Sequence, residues 1–72
     1  MTPQQQRIRA AISGWTAGHK YAPTVRELGD LLGIRSPATI HYHLQAMRQA
    51  GLVDWVDGQV RTLHVMDTEG LR

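Results

Sequence analysis

The sequence predicts a small α+β domain in which three helices precede a two-stranded β-hairpin. The chain has 72 residues, which is enough for one domain. Helix-start signals, each followed by apolar residues at helical spacing, occur three times before residue 51. After Gly51 the apolar residues alternate with polar ones, which is the period of a β-strand.

The first helix is predicted from about residue 3 to about residue 17. Thr2 and Gln5 stand at the spacing of a capping box, and Pro3 takes the first helical position. Apolar side chains that we expect on the core side recur at helical spacing and are Ile8, Ala11, Ile12 and Trp15. Gly18 is expected to end this helix.

The second helix is predicted to be short. Thr24 and Glu27 form another capping box. The apolar stripe of this helix consists of Val25, Leu28, Leu31 and Leu32. Gly33 is well placed to end the helix in a left-handed conformation.

The third helix, over residues 37–50, begins only a few residues later. Ser36 is its predicted N-cap and Pro37 its first residue. Its apolar side consists of Ile40, Leu44 and Met47. Gly51 is expected to close it.

The chain beyond Gly51 predicts the hairpin. Apolar residues alternate with polar ones on both strands and are Val53, Trp55, Leu63 and Val65. If these four odd-numbered residues share the buried face, the numbers of any two residues that pair across the hairpin sum to an even value. The loop between such a pair contains an odd number of residues. An odd-length loop is therefore favoured over a two-residue turn at Asp57-Gly58. We expect a domain over residues 1–66 and a frayed tail over residues 67–72.

Composition argues against several classes of function. The chain has no cysteine, so neither a disulfide nor a thiolate metal site is expected. His41 and His43 lie two apart on a helix and cannot chelate one ion together, so no metal is expected. No nucleophile–base pair and no phosphate loop stand out, so we expect no enzyme activity and no cofactor. No apolar run is long enough to span a membrane, and we expect a cytoplasmic, nucleoid-associated protein.

Charge is distributed unevenly along the chain. The net charge is +2, of which the first fifty residues contribute +4 and the remainder −2. A basic body with an acidic tail suits a polyanion that is bound by the body.

Three helices followed by a hairpin are the element order of a winged helix-turn-helix, in which the third helix enters a DNA major groove. The third helix has the required two-sided pattern. Opposite its apolar side it presents hydrogen-bonding groups, an aromatic ring and no acid, from Ala38, Thr39, His41, Tyr42 and Gln45. Arg35 stands just ahead of the helix, whose start at Ser36 offers backbone N–H groups to a phosphate.

Several short segments with caps and turn glycines fall in the register of one known family. They are Thr2-Pro3-Gln4-Gln5, Gly18 with Pro23-Thr24-Val25-Arg26-Glu27-Leu28, Gly33-Ile34-Arg35-Ser36-Pro37, His43-Leu44 with Met47, Gly51-Leu52-Val53, and Arg61-Thr62-Leu63-His64. On these residues the chain resembles the N-terminal DNA-binding domain of LexA-type repressors over about residues 2–66. The resemblance implies a sequence-specific transcription regulator that binds double-stranded DNA.

In that family the base-reading residues lie on the third helix and just before it. The positions of this sequence that match them are Ser36, Ala38, Thr39, His41 and Tyr42. The family's best-known member has an Asn at the place of Ala38 and a Glu at the places of His41 and Tyr42. We therefore expect a DNA target different from that member's.

The predicted phosphate-binding residues are basic side chains of the body, one glutamine of the third helix and one arginine of the wing. They are Arg7, Arg26, Arg35, Gln45, Arg48 and Arg61. Ala50 stands where the family often has a basic residue, and Asp54 and Asp57 put negative charge on the wing. These departures weaken the expected wing contact, for which Arg61 is the best candidate.

Two classes of function follow from these patterns. LexA-type repressors also have a self-cleaving peptidase domain with a Ser–Lys pair, but this sequence offers only Ser13, Ser36 and Lys20. The first class is therefore a LexA-like repressor without that domain, and a phage or plasmid repressor would fit the small size. The alternative is a winged-helix module or accessory subunit that binds protein, with weak or no DNA binding.

The expected partner of the first class is double-stranded DNA. A single helix-turn-helix reads few base pairs, so we expect either a homodimer on DNA or a hetero-partner that supplies dimerisation. Neither a membrane nor a small-molecule substrate is expected.

Overall fold

The computed structural model describes residues 2–66 and confirms the predicted α+β winged-helix class. The three helices are α1 (Pro3–His19), α2 (Val25–Leu32) and α3 (Pro37–Gln49). Two short antiparallel strands follow, β1 (Val53–Asp54) and β2 (His64–Val65). The tail predicted over residues 67–72 lies outside the described residues.

Local capping explains where the helices begin. The Thr2 hydroxyl accepts the Gln5 N–H at 3.1 Å, and the Thr24 hydroxyl accepts the Glu27 N–H at the same distance. In return the Glu27 carboxylate accepts the Thr24 N–H at 2.8 Å, which completes the box at the start of α2. Both predicted capping boxes are thus confirmed. Gly33, with φ 71°, ends α2 in the left-handed conformation, as expected.

The predicted end of α1 is wrong by two residues. Gly18 lies inside the helix, and Lys20 is the residue in the left-handed conformation, with φ 67°. The His19 ring stacks on Trp15 at a centroid distance of 3.9 Å. This contact joins residues on both sides of Gly18 and holds the last turn of the helix. His19 Nδ1 also lies 3.1 Å from the Trp15 carbonyl oxygen. A glycine permits a helix to end but does not require it.

One hydrophobic core joins all the elements. Its buried side chains are Ile8, Ile12, Leu28, Ile40, Leu44, Met47, Val53 and Leu63. Two predicted core residues lie elsewhere. Trp15 is half-buried and stacks on His19, outside this cluster. Leu31 is 56% exposed because it is turned about 100° around the helix from Leu32, beyond the side of α2 that packs inward.

The hairpin has the parity that alternation predicts. Val53 pairs with Val65 and Asp54 with His64, so the intervening loop spans residues 55–63 and is of odd length. A tight turn closes inside this loop, where Gly58 has φ 79° and the Gln59 N–H donates to the Val56 carbonyl at 3.1 Å. The regular strands are only two residues long each, because the Thr62 hydroxyl rather than a backbone carbonyl accepts the Val56 N–H.

Gly29 of α2 lies tightly against the segment that leads into α3. A Cβ at this position would lie 2.7 Å from the Ile34 carbonyl oxygen and 3.2 Å from Ile40 Cδ1. The absence of a side chain therefore sets how closely the two helices of the helix-turn-helix pack.

We predict that Gly29→Ala lowers the free energy of unfolding by about 1–3 kcal/mol, because the backbone oxygen of Ile34 cannot move aside cheaply. Gly14→Ala is the matched control, since a Cβ there meets nothing within 4 Å. That variant should gain about 0.5–1 kcal/mol from better helix propensity. Urea denaturation measures both changes, and a shift of the two variants in the same direction would contradict this account of the packing.

Candidate nucleic-acid interface

The exposed side of α3 and the N-cap residue before it bring the five predicted base-reading residues together. Ser36, Ala38, Thr39, His41 and Tyr42 are all exposed, and Tyr42 is 72% exposed. The opposite side of the helix is at most 2% exposed and consists of Ile40, Leu44 and Met47. Gln45 continues the exposed side one turn further along. The predicted two-sidedness of this helix is therefore present, with a polar surface free of acidic side chains.

The start of α3 offers fewer backbone donors than expected. Pro37 has no N–H, and the Thr39 N–H donates to the Ser36 hydroxyl over a long 3.4 Å. Ala38 is then the first-turn residue whose N–H has no acceptor within residues 2–66. An anion at this end of the helix would meet one free backbone donor together with the helix dipole.

Arg26 and Arg35 lie beside this surface. Both line a shallow groove between α2 and α3, together with Asp30, Pro37 and His41. Neither forms an ion pair in the described part of the chain. Within the described residues their guanidinium groups are therefore available to an external anion in this groove.

Arg7 reaches the same region from α1. Its guanidinium donates to the Leu32 carbonyl at 3.5 Å, at the end of α2, and to the Gln4 side chain at 3.2 Å. A cation at a helix C-terminus is favoured by the helix dipole. Arg7 thus adds positive charge near the turn between α2 and α3.

Arg48 has a different environment, because it fastens α3 to the wing. Its Nε donates to Asp54 at 2.8 Å, Nη1 to Asp57 at 3.2 Å, and Nη2 to the Trp55 carbonyl at 2.9 Å. The guanidinium carbon also lies 4.2 Å from the centroid of the Trp55 ring. The phosphate contact of Arg48 stays a prediction. It would have to be made by a guanidinium group that already has two carboxylate partners, Asp54 and Asp57.

Arg61 is also paired within the chain. Its Nη1 and Nη2 donate to the two carboxylate oxygens of Glu27 at 3.0 and 3.3 Å. Nη1 donates as well to the Ala22 carbonyl at 3.1 Å, and the group lies 4.6 Å from the Tyr21 ring centroid. The predicted phosphate contact of Arg61 likewise stays a prediction.

These pairs change the electrostatics inferred from the sequence. The pKa of Asp54 is lowered by the backbone N–H of Trp55 and then by the hydrogen bond from Arg48. The pKa of Glu27 is lowered by the backbone N–H of Thr24 and then by Arg61. Asp54 is therefore held ionised beside Arg48, which offsets part of the negative charge that Asp54 and Asp57 put on the wing.

The wing also exposes apolar side chains that sequence reasoning missed. Val56 is 51% and Val60 81% exposed, on the two sides of the turn at Gly58. Behind them a groove of about 530 Å³ separates the wing from α2 and α3, with Arg26, His41 and Leu44 on its helical side. Alternation assigned no role to these valines, since neither belongs to the apolar set Val53, Trp55, Leu63 and Val65.

Among residues 2–66, no three His, Asp or Glu side chains lie close enough together to hold a metal ion. No helix in the same range is long and apolar enough to cross a bilayer.

The three helices, the paired wing and the outward side of α3 define a winged helix-turn-helix domain. The profile of the family described as LexA DNA binding domain matches residues 1–62. This chain therefore belongs to the LexA DNA-binding domain family, and the predicted resemblance is confirmed.

Curated relatives agree with this assignment. The LexA repressor of Desulfatibacillum aliphaticivorans is 40% identical over 68 residues, which cover 94% of this chain and 34% of that protein. The transcription regulator LexA of Synechocystis sp. is 40% identical over 64 residues, covering 83% of this chain and 32% of that protein. The LexA repressor of Halalkalibacterium halodurans is 31% identical over 71 residues, covering 99% and 34%. The chain thus spans about one third of the length of the curated relatives it matches.

Proposed function

We propose that this chain is a sequence-specific transcription regulator that binds double-stranded DNA, with α3 in the major groove. The observation that supports this most is the outward side of α3, which is polar and free of acids and lies beside Arg26 and Arg35, two arginines without an ion pair among residues 2–66. Membership of the LexA DNA-binding domain family supports the same reading. The proposal extends to repression, as in the relatives named LexA repressor, and to the absence of enzyme activity.

The side chains divide into two proposed roles. Ser36, Ala38, Thr39, His41 and Tyr42 read base edges, because they lie together on the exposed side of α3 and at its start. Arg7, Arg26, Arg35 and Gln45 bind backbone phosphates, which fixes the register of the protein on the duplex. Their positive charge also supplies affinity that is independent of sequence.

We predict that Arg26→Gln and Arg35→Gln each weaken binding to any duplex. Each should also make the slope of log affinity against log salt shallower by about 0.9, which is the contribution of one neutralised phosphate. Lys20→Gln is the charge-matched control, because Lys20 caps α1 and lines neither groove beside α3. Fluorescence anisotropy on mixed-sequence duplexes between about 50 and 200 mM salt measures the slopes.

Failure of the wild-type chain to bind duplex DNA, or binding that ignores salt over this range, would contradict the proposed function. That result would favour the alternative of a winged-helix module that binds protein.

We predict that Tyr42→Ala and His41→Ala lower binding to a duplex selected from a random pool far more than binding to random duplex. The expected loss on the selected site is about 1–3 kcal/mol for each lost base contact. Gln49→Ala, at the other end of the exposed side of α3, is the control and should change neither affinity appreciably. Equal losses on both duplexes would instead assign Tyr42 and His41 to backbone binding.

We predict further that two copies pair on a two-fold symmetric site, with half-sites about one helical turn apart, because one recognition helix reads few base pairs. Sedimentation of the chain with a self-complementary selected duplex should give two chains per duplex at saturation. One chain per duplex, with a footprint confined to one half-site, would exclude pairing by this chain alone and favour a hetero-partner.

A further inference from the structure

The part of the wing that leads from the turn at Gly58 back to β2, residues 59–65, is its return limb, and it has an unusual backbone at Arg61. This residue has φ 59°, in the left-handed region that glycine usually occupies. A non-glycine side chain there costs free energy, so the surroundings of the side chain must stabilise the conformation. The contacts of the guanidinium group supply that stabilisation.

Those contacts all lead away from the wing to the start of the helix-turn-helix. The guanidinium binds both carboxylate oxygens of Glu27, at 3.0 and 3.3 Å, which is the bidentate geometry that arginine favours. It also donates to the Ala22 carbonyl at 3.1 Å and covers the Tyr21 ring. Four separate interactions therefore join one wing residue to the loop before α2 and to its first turn.

Glu27 links this contact to the capping of α2. The same oxygen that accepts from Arg61, Oε1, accepts the Thr24 N–H at 2.8 Å. The wing and the capped start of α2 thus share one hydrogen-bonded network. The other limb of the wing is held separately, by Arg48 on Asp54 and the Trp55 carbonyl.

We propose that Arg61 is a positioning residue, which holds the return limb of the wing against α2 at the distance from α3 that DNA requires. This inference rests on the proposed function, and it assigns to Arg61 a role other than the phosphate contact expected from the sequence. Arg61 lines the groove between the wing and the helices together with Arg26 and Val60, so its link to Glu27 sets the width of that groove.

The two roles of Arg61 predict opposite effects for a change at Glu27. If Arg61 binds phosphate, the carboxylate competes with DNA, and Glu27→Gln should raise affinity. If Arg61 positions the wing, loss of the carboxylate loosens the wing and lowers affinity. A glutamine amide oxygen can still accept the Thr24 N–H, so this substitution removes the ion pair while it preserves the capping box.

The test compares Glu27→Gln, Arg61→Gln and the double variant with the wild-type chain on selected duplex DNA, at a temperature where all four are fully folded by circular dichroism. Each single variant should lose about two- to fivefold in affinity, the range for a partly exposed ion pair. The double variant should lose no more than either single one, because both remove the same contact. The salt slope should stay at the wild-type value in all three variants, because none of them loses a phosphate contact.

Three results would overturn the proposal. They are a higher affinity of Glu27→Gln, a salt slope of Arg61→Gln that is shallower by about 0.9, and unchanged affinity in both single variants. Binding by the wild-type chain separates the role of Arg61 from the proposed function. If the wild-type chain does not bind DNA, the proposed function fails, whatever the role of Arg61. In that case nuclear magnetic resonance still tests the link: amide shifts of residues 56–62 should change alike in the two single variants, and different patterns would contradict it.

Discussion

Burial of one side of α3 determines which of its residues can meet another molecule. Ile40, Leu44 and Met47 are each at most 2% exposed, and burying such side chains is worth about 1.5–3 kcal/mol apiece. This packing fixes the rotation of the helix about its axis. The close approach at Gly29 fixes its distance from α2. Every proposed base contact depends on these two constraints, since a rotated α3 would turn Tyr42 and His41 away from the major groove of the DNA.

Ion pairing divides the arginines of the domain into two groups. Arg48 and Arg61 have carboxylate partners and join the wing to the helices, whereas Arg26 and Arg35 have none in the described residues and flank α3. The same residue type thus stabilises the position of the wing in one place and leaves positive charge open to an anion in another. Because Arg48 offsets part of the charge of Asp54 and Asp57, these acids oppose an approaching duplex less than their number in the sequence indicates.

The parts of the fold that were predictable depend on neighbours in sequence. Capping boxes at Thr2 and Thr24 involve residues three apart, and the parity of the hairpin follows from alternation. The end of α1 was missed because stacking of His19 on Trp15 outweighs the signal of Gly18. The pair between Arg61 and Glu27 spans 34 residues, and no spacing rule connects them. Local patterns therefore located the candidate surface, while the partners of the arginines could be identified only in the folded chain.

We propose that the outward side of α3 and the arginines beside it form the surface that meets DNA. The most direct measurement is a titration of isotope-labelled protein with duplex DNA, followed through its amide and indole resonances. We expect the largest shifts on residues 35–45 and around Arg26, with little change at the Trp15 indole and His19. Shifts concentrated on that aromatic pair, or spread evenly over the chain, would show that this surface does not meet DNA.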